Sequence, residues 1–183
     1  MVGGAAHWPA GFIVGRDQLA VTMSTSTPTR GANNSPSSHR AIENLIATYA
    51  ELVDDGDFAG VGMLLADATF TGGGGSVSGA DAIEKMLRDS LIVYDDGTPR
   101  TKHVTTNVAI EVDEEAGTAV SRSYFTALQA VPDLALLQPI VSGRYHDRFE
   151  RRDGRWRFVE RRVRTDLVGD VSRHLRHAAA DSG

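Results

Sequence analysis

Residues 141–165 read VSGRYHDRFERRDGRWRFVERRVRT, and this stretch decides the fold. Two segments, 141–151 and 156–165, flank Arg152-Asp153-Gly154-Arg155. Asp-Gly between alternating segments is one of the stronger hairpin signals. Toward the N-terminus, residues 103–112 alternate in the same way. Val104, Val108, Ile110 and Val112 fall on one face, and His103, Thr105, Asn107 and Ala109 on the other. Glu114-Glu115-Ala116-Gly117 turns the chain into a further strand over 118–130. The C-terminal half is therefore a meander of long antiparallel strands.

The residues before it change period. Ile42, Leu45, Ile46, Tyr49 and Val53 recur at three- and four-residue steps, the stripe of an amphipathic helix with Ser38 as its N-cap. Asp54-Asp55-Gly56-Asp57 ends it, and Asp57 caps a short second helix carrying Phe58, Val61, Met63, Leu64 and Leu65. A short strand at 68–71 leads into the flexible run Gly72 to Gly75, read as a mobile rim. A third helix over 80–91 puts Ile83, Met86, Leu87 and Leu91 on one face. Helices followed by strands mean α+β. Three N-terminal helices packed on a strongly curved, mainly antiparallel sheet make a cone with an apolar interior pocket. Residues 168–178 read as a terminal helix.

The chain has 183 residues, 41% hydrophobic and 23% charged, which argues for one domain with tails. We place a disordered tail at 1–37, the domain at 38–167, and a C-terminal helix and tail at 168–183. The stretch 24–38, STSTPTRGANNSPSS, has almost nothing to bury and cannot offset its ordering entropy. Phe12-Ile13-Val14 is too short for the core of a signal peptide, and Arg16 follows rather than leads it. Met23 is an alternative start. A net charge of −5 does not favour nucleic acid or anionic membrane, and no apolar run approaches the roughly 20 residues of a membrane helix. The absence of cysteine excludes disulfides, thiolate catalysis and Cys-ligated metal. These features fit a cytoplasmic protein.

Among six histidines, His7 and His39 lie in or beside the tail. His174 and His177, three apart, read as solvated residues at a polar terminus rather than metal ligands. His146 alternates with Tyr145 and Asp147, so it points away from them, to an outer face or a subunit contact. His103 shares its strand face with Thr105 and Asn107, small polar groups suited to a cavity lining. Tyr49 and Asp54, five apart, stand about 140° from each other on an ideal helix. They converge only if Asp54 belongs to the turn that ends the helix; otherwise Asp54 is a solvated turn residue and Tyr49 a core tyrosine.

Tyr49-x4-Asp54-x2-Asp57, then Lys102-His103-Val104-Thr105-Thr106-Asn107, then Gly143-Arg144-Tyr145, then Asp153-Gly154-Arg155-Trp156-x4-Arg161 together resemble the SnoaL-like branch of the NTF2-like superfamily. Similar members include scytalone dehydratase, bile-acid 7α-dehydratase and hexachlorocyclohexane dehydrochlorinase. The resemblance covers roughly residues 38–166. It implies a conical α+β barrel assembling as a homodimer or homotrimer through its outer sheet face. It also implies a dyad of Asp54 and His103, with Tyr49 where the dehydratases often carry Tyr and the dehydrochlorinase carries Lys. Arg161 matches the Arg that follows the hairpin Trp. The resemblance thus favours carbon–oxygen over carbon–halogen chemistry.

The residue types suit that chemistry independently. A neutral imidazole can take a proton from carbon beside a carbonyl. A carboxylate accepting from Nδ1–H fixes the tautomer and aims Nε2 at substrate. Tyr49 can donate to a leaving hydroxyl or a developing enolate, and Arg161 can hold negative charge. No metal, nucleotide or flavin is required. Asn107, Phe70, Tyr124, Phe125, Tyr145 and Trp156 are the candidate substrate-lining residues, with Phe158 beside them, although alternation lets only about half of the aromatic ones face inward. The remaining arginines from Arg144 to Arg164 interleave with acids and read as cross-strand ion pairs and solvated surface. Gly72–Gly75 lacks the Lys-Ser/Thr of a phosphate-binding loop. The expectation is a lyase or isomerase acting on a small apolar, polyketide-like or steroid-like ring compound. The competing expectation is a non-catalytic ligand-binding or subunit-pairing module of the same shape.

Overall fold

The computed structural model describes residues 36–73, 75–132 and 135–176. The expected tail lies outside these except for Pro36 and Ser37, as do His7, Met23 and His177. Helix α1 (Ser38–Asp54) buries Ile42, Ile46, Tyr49 and Val53. Its cap is Ser37, one residue earlier than the expected Ser38, and its hydroxyl accepts from the Arg40 N–H. Helix α2 (Phe58–Leu64) is capped as expected by Asp57, whose Oδ1 accepts from the Gly60 N–H at 2.9 Å. Strand β1 (Thr69–Gly72) pairs antiparallel with β2 (Gly75–Ser78), a strand the sequence did not announce. Helix α3 (Ala80–Ser90) follows, then β3 (Thr101–Asp113), β4 (Thr118–Val131), β5 (Ala135–Arg152) and β6 (Arg155–Val168).

These strands form one six-stranded mixed sheet in the order β2-β1-β6-β5-β4-β3. Only β1 and β6 run parallel; the other neighbours are antiparallel. The fold is α+β, with three helices on the sheet. Its edges are β2 and β3, so it is an open sheet and not a closed barrel. The core lies between α1, α2, α3 and the inward sheet face, around Ile42, Phe58, Leu65, Ile83, Phe149 and Phe158.

Two bulges correct the face assignments. In β3, the pairing steps from Thr106↔Tyr124 to Ala109↔Arg122, which inserts one residue. Asn107 absorbs it at φ +54°, in the left-handed region that Asn tolerates better than most residues. Side-chain alternation therefore reverses within the strand. Val104 and Val108 are exposed, while His103 and Thr105 share the inward side with Ile110 and Val112. In β6, the shift between Arg148↔Glu160 and Phe149↔Phe158 does the same, so Phe158 and Arg161, three residues apart, are both buried.

The expected helix over 168–178 is not formed among the described residues. Val168 pairs with Val141 at the end of β6, and the chain then makes a single turn. Its backbone groups bond to other elements: Gly169 N–H to the Ile140 carbonyl at 2.8 Å, and Arg176 N–H to the Ser90 carbonyl at 2.9 Å. Leu175 bridges to Leu91.

Candidate functional site

Asp54 is the last residue of α1 and is 6% exposed. Gly56, at φ +73°, makes the turn just beyond it, where a Cβ would collide with the Gly97 carbonyl oxygen. That close approach seats the helix end against the entrance to β3. Asp54 Oδ1 accepts from Thr101 Oγ1 at 2.8 Å and meets His103 Nδ1 at 2.6 Å, while Oδ2 accepts from the His103 N–H at 2.8 Å. Burial alone would raise the Asp54 pKa. The His103 side chain, its charge, its backbone N–H and the Thr101 hydroxyl outweigh this and hold the carboxyl below its ordinary value. An ionised carboxylate can only accept, so Nδ1 carries the proton and Nε2 is left for another partner. The helix C-terminus adds partial negative charge on the same side. The His103 side chain keeps 10% of its exposure.

Deeper in the same interior, Tyr49 and Tyr145 meet edge-on at 5.9 Å, and Tyr145 stacks on Phe125 at 4.5 Å. The Arg161 guanidinium lies 4.0 Å from the Tyr49 ring centre, 4.2 Å from Tyr145 and 4.8 Å from Phe158. It binds Asp147 in a two-pronged pair, Nε to Oδ1 at 2.9 Å and Nη2 to Oδ2 at 2.7 Å. Burial opposes its charge, but Asp147 raises the Arg161 pKa above its already high ordinary value. Burial also raises the Tyr49 pKa, with Arg161 pulling the other way, so its phenol stays protonated at neutral pH.

The structure thus brings Asp54 and His103 into direct contact, and gathers Tyr49, Tyr145, Phe125 and Arg161 inside the sheet. Phe70 is buried on β1 in register with Arg161. Trp156 is buried under the Arg151 guanidinium. Two expected lining residues are placed elsewhere. Tyr124 is 50% exposed against Arg144 on the outer face, because it alternates with buried Ser123 and Phe125. Asn107 is exposed because it forms the bulge. His146 is exposed, as alternation required.

Sequence reasoning missed four features. Thr101, two residues before the expected strand, is the second residue to donate to Asp54. Asp147, assigned with the other acids to surface pairing, is fully buried, although its alternation with Tyr145 and Phe149 carried that signal. Ser121 and Ser123 face inward, and their hydroxyls, with Thr105 Oγ1 and Arg161 Nη1, have no partner among the described residues. His174, read as solvated, is 7% exposed and lies close enough to Asp54 and His103 for both to act on its titration. Among the described residues no three acidic or histidine side chains converge as a metal site. Two shallow depressions, of ≈ 340 and ≈ 300 Å³, include neither Asp54 nor His103. No helix among the described residues is long and apolar enough to cross a membrane.

A family model described as a SnoaL-like domain matches residues 35–162. Among curated proteins nothing matches the chain. Solved structures do. A variant of Rv3472 from Mycobacterium tuberculosis, a protein of unknown function, is 27% identical over 71% of this chain and 77% of its own, with a TM-score of 0.58. A Novosphingobium aromaticivorans protein provisionally assigned as a scytalone dehydratase is 25% identical over 72% of this chain and 86% of its own, also with a TM-score of 0.58. An NTF2-like protein with a cystatin-like fold from the same organism, 21% identical over 73% of this chain and 84% of its own with a TM-score of 0.55, shares the fold.

Proposed function

The chain belongs to the SnoaL-like domain family, and from that premise we propose that it is a cofactor-independent, dehydratase-like lyase or isomerase. His103 is the general base and Asp54 the carboxylate that orients it. The observation that carries this reading is the 2.6 Å contact between His103 Nδ1 and Asp54 Oδ1. It leaves Nε2 with a free lone pair, and the residual exposure of the His103 side chain lets a ligand reach it.

The substrate class is a small ring ketone, polyketide-like or steroid-like, with a hydroxyl on the carbon β to the carbonyl. Nε2 takes the proton from the α carbon, and that C–H pair moves to the carbonyl oxygen as an enolate. The enolate collapses, the β carbon–oxygen bond breaks, and the departing hydroxide takes the proton back from the imidazolium. The products are an enone and water. In an isomerisation the same proton returns to a different carbon. Tyr49, kept protonated by burial, donates to the leaving or enolate oxygen, and Arg161 supplies positive charge behind the Tyr49 and Tyr145 rings. The inward hydroxyls of Thr105 and Ser123 support a ligand bearing more than one oxygen. The dehydratase assignment of the Novosphingobium structure supports dehydration among these outcomes. Exposed Val104, Val108, Val120 and Tyr124 support assembly of a homodimer or homotrimer.

A panel of β-hydroxy ketones tests the reading. His103→Ala should lower turnover by about 10²–10⁴-fold while the thermal midpoint barely moves. Undiminished turnover in that variant would overturn it. A second reading, a non-catalytic ligand-binding or subunit-pairing module, is favoured by one observation: Arg161 and its three rings occupy much of the interior that a substrate would need. It predicts ligand binding by the wild type with no turnover.

A further inference from the structure

Beyond β6 the chain crosses to the connection between α3 and β3 and is fastened there. The Arg173 carbonyl accepts from Tyr94 Oη at 2.7 Å and from Gln129 Nε2 at 3.0 Å, and the His174 carbonyl accepts from the Ile92 N–H at 2.9 Å. Arg176 Nε donates to the Leu91 carbonyl at 2.8 Å. Gln129 is 2% exposed and is the cross-strand partner of Thr101, the residue that donates to Asp54. The anchor of this segment and the anchor of the dyad are thus neighbours on one pair of strands. His174 follows the clamped carbonyl directly. Its side chain is carried inward, and its Nδ1 has no partner among the described residues.

We propose that His174 is a further substrate-contacting residue of this site, whose Nδ1–H donates a hydrogen bond to the substrate's carbonyl oxygen while His103 removes the adjacent proton. The assignment rests on the lyase or isomerase reading above and gives its carbonyl a partner. A buried ring nitrogen without a partner is costly to keep, and a bound oxygen would satisfy it. The group also suits the task electrically. Burial first, and the neighbouring His103 second, hold the His174 pKa down to about 4, with Asp54 opposing. It therefore stays neutral near pH 7, does not compete as a cation for Asp54, and can polarise a carbonyl as a neutral imidazole. Its position in the sequence explains why it looked solvated: the bonds that fasten its segment come from residues 44 to 85 positions away.

Two substitutions at one position separate contact from packing. His174→Phe keeps the ring volume and removes the donor; turnover of the hydroxy-ketone panel should fall by about 10²–10³-fold. His174→Asn returns an amide N–H near the place of Nδ1 and should recover about tenfold of that loss. Should the Phe variant fail to fold, the Asn variant is compared with His174→Gln, whose amide sits at the place of Nε2; Asn should be the faster by a similar factor. Wild-type turnover in the Phe variant overturns the proposal, and so does an Asn variant no better than Phe or Gln. Binding of 2-naphthol, a phenol that mimics an enolate, gives a second readout and should weaken in His174→Phe. If the wild type turns over no hydroxy ketone yet naphthol binding still depends on His174, the base reading fails and this contact stands. If His103→Ala abolishes turnover while His174→Phe alters neither turnover nor naphthol binding, this contact alone fails.

Discussion

Two carboxylate–cation pairs sit in one interior and do different work. Asp147 and Arg161 are both wholly buried, joined by two hydrogen bonds, with three aromatic rings around the guanidinium. Asp54 and His103 are joined by one side-chain contact, at the end of a helix, with 5% and 10% of their side chains exposed. In the first pair the cation cannot give up its proton, and its planar fork is committed to the carboxylate. In the second the cation exists only when the imidazole is protonated, and one ring nitrogen stays uncommitted. Under the proposed function the first pair is permanent and the second changes state. Arg161 matches a family arginine in sequence, but its buried fork belongs to Asp147, so it reaches the site only as charge behind Tyr49 and Tyr145.

Converting each carboxylate to its amide breaks the comparison most sharply. Asp147→Asn leaves the Arg161 charge buried without a counter-ion and should cost about 3–5 kcal/mol of stability. Asp54→Asn leaves an amide oxygen that can still accept from Thr101 or the His103 N–H, so chemical denaturation should show a small change. Turnover, however, should fall by about 10²–10⁴-fold, because the amide favours the His103 tautomer that puts its proton on Nε2. Urea midpoints and turnover measured on both variants check the pattern. Equal destabilisation by the two substitutions would mean that both pairs are structural.

Acid distinguishes the two regions more gently. His174, beside the dyad, has a folded pKa of about 4 against an ordinary value of 6.5. Between those values the unfolded chain binds the extra proton, so stability is fully present above about pH 6.5 and falls as pH drops toward 4, by about 3 kcal/mol at most. Asp54, whose folded pKa is lowered, adds its own loss only below the ordinary carboxylate range. Urea midpoints across this range should slope in the wild type and flatten in His174→Phe. An unchanged slope in that variant would place the proton uptake elsewhere.

The order of elements was legible because it rests on local signals, whereas the pairing of Asp54 with His103, 49 positions away, was implied only by the family resemblance. Apolar periodicity set α1 and α3, Asp57 capped α2, and Asp153-Gly154 turned the final hairpin. What escaped depended on contacts distant in sequence or on a single inserted residue. Alternation is reliable only between bulges, so Asn107 displaced Val104 and Val108 from the core face, and the irregularity before Glu160 brought Arg161 inward. Ser123 and Phe125 obey simple alternation, and the same rule put Tyr124 outside. The helix expected over 168–178 gives way to a segment held by carbonyls and N–H groups of Ser90, Leu91 and Ile92, which no local pattern announces. His174 is fastened and buried through those contacts and not through its neighbours in the chain.

Thr101→Val probes the smallest difference between the two pairs. Asp147 takes both of its bonds from one guanidinium, whereas Asp54 divides its acceptors between His103 and the Thr101 hydroxyl. Valine fills nearly the same volume, and Thr101 is only 3% exposed, so the change removes a donor with little repacking. The carboxylate loses one of three bonds and its pKa rises toward the ordinary value, while the His103 contacts persist. Stability should fall by about 1 kcal/mol, less than the full worth of a charged hydrogen bond because the new methyl is buried. Turnover should fall by about tenfold or less, since the carboxylate still fixes the Nδ1–H tautomer but holds the ring less firmly. A loss as deep as that of Asp54→Asn would shift the orienting role from the carboxylate to the hydroxyl. In that case the contrast between a permanent pair and a switching one would have to be redrawn around Thr101.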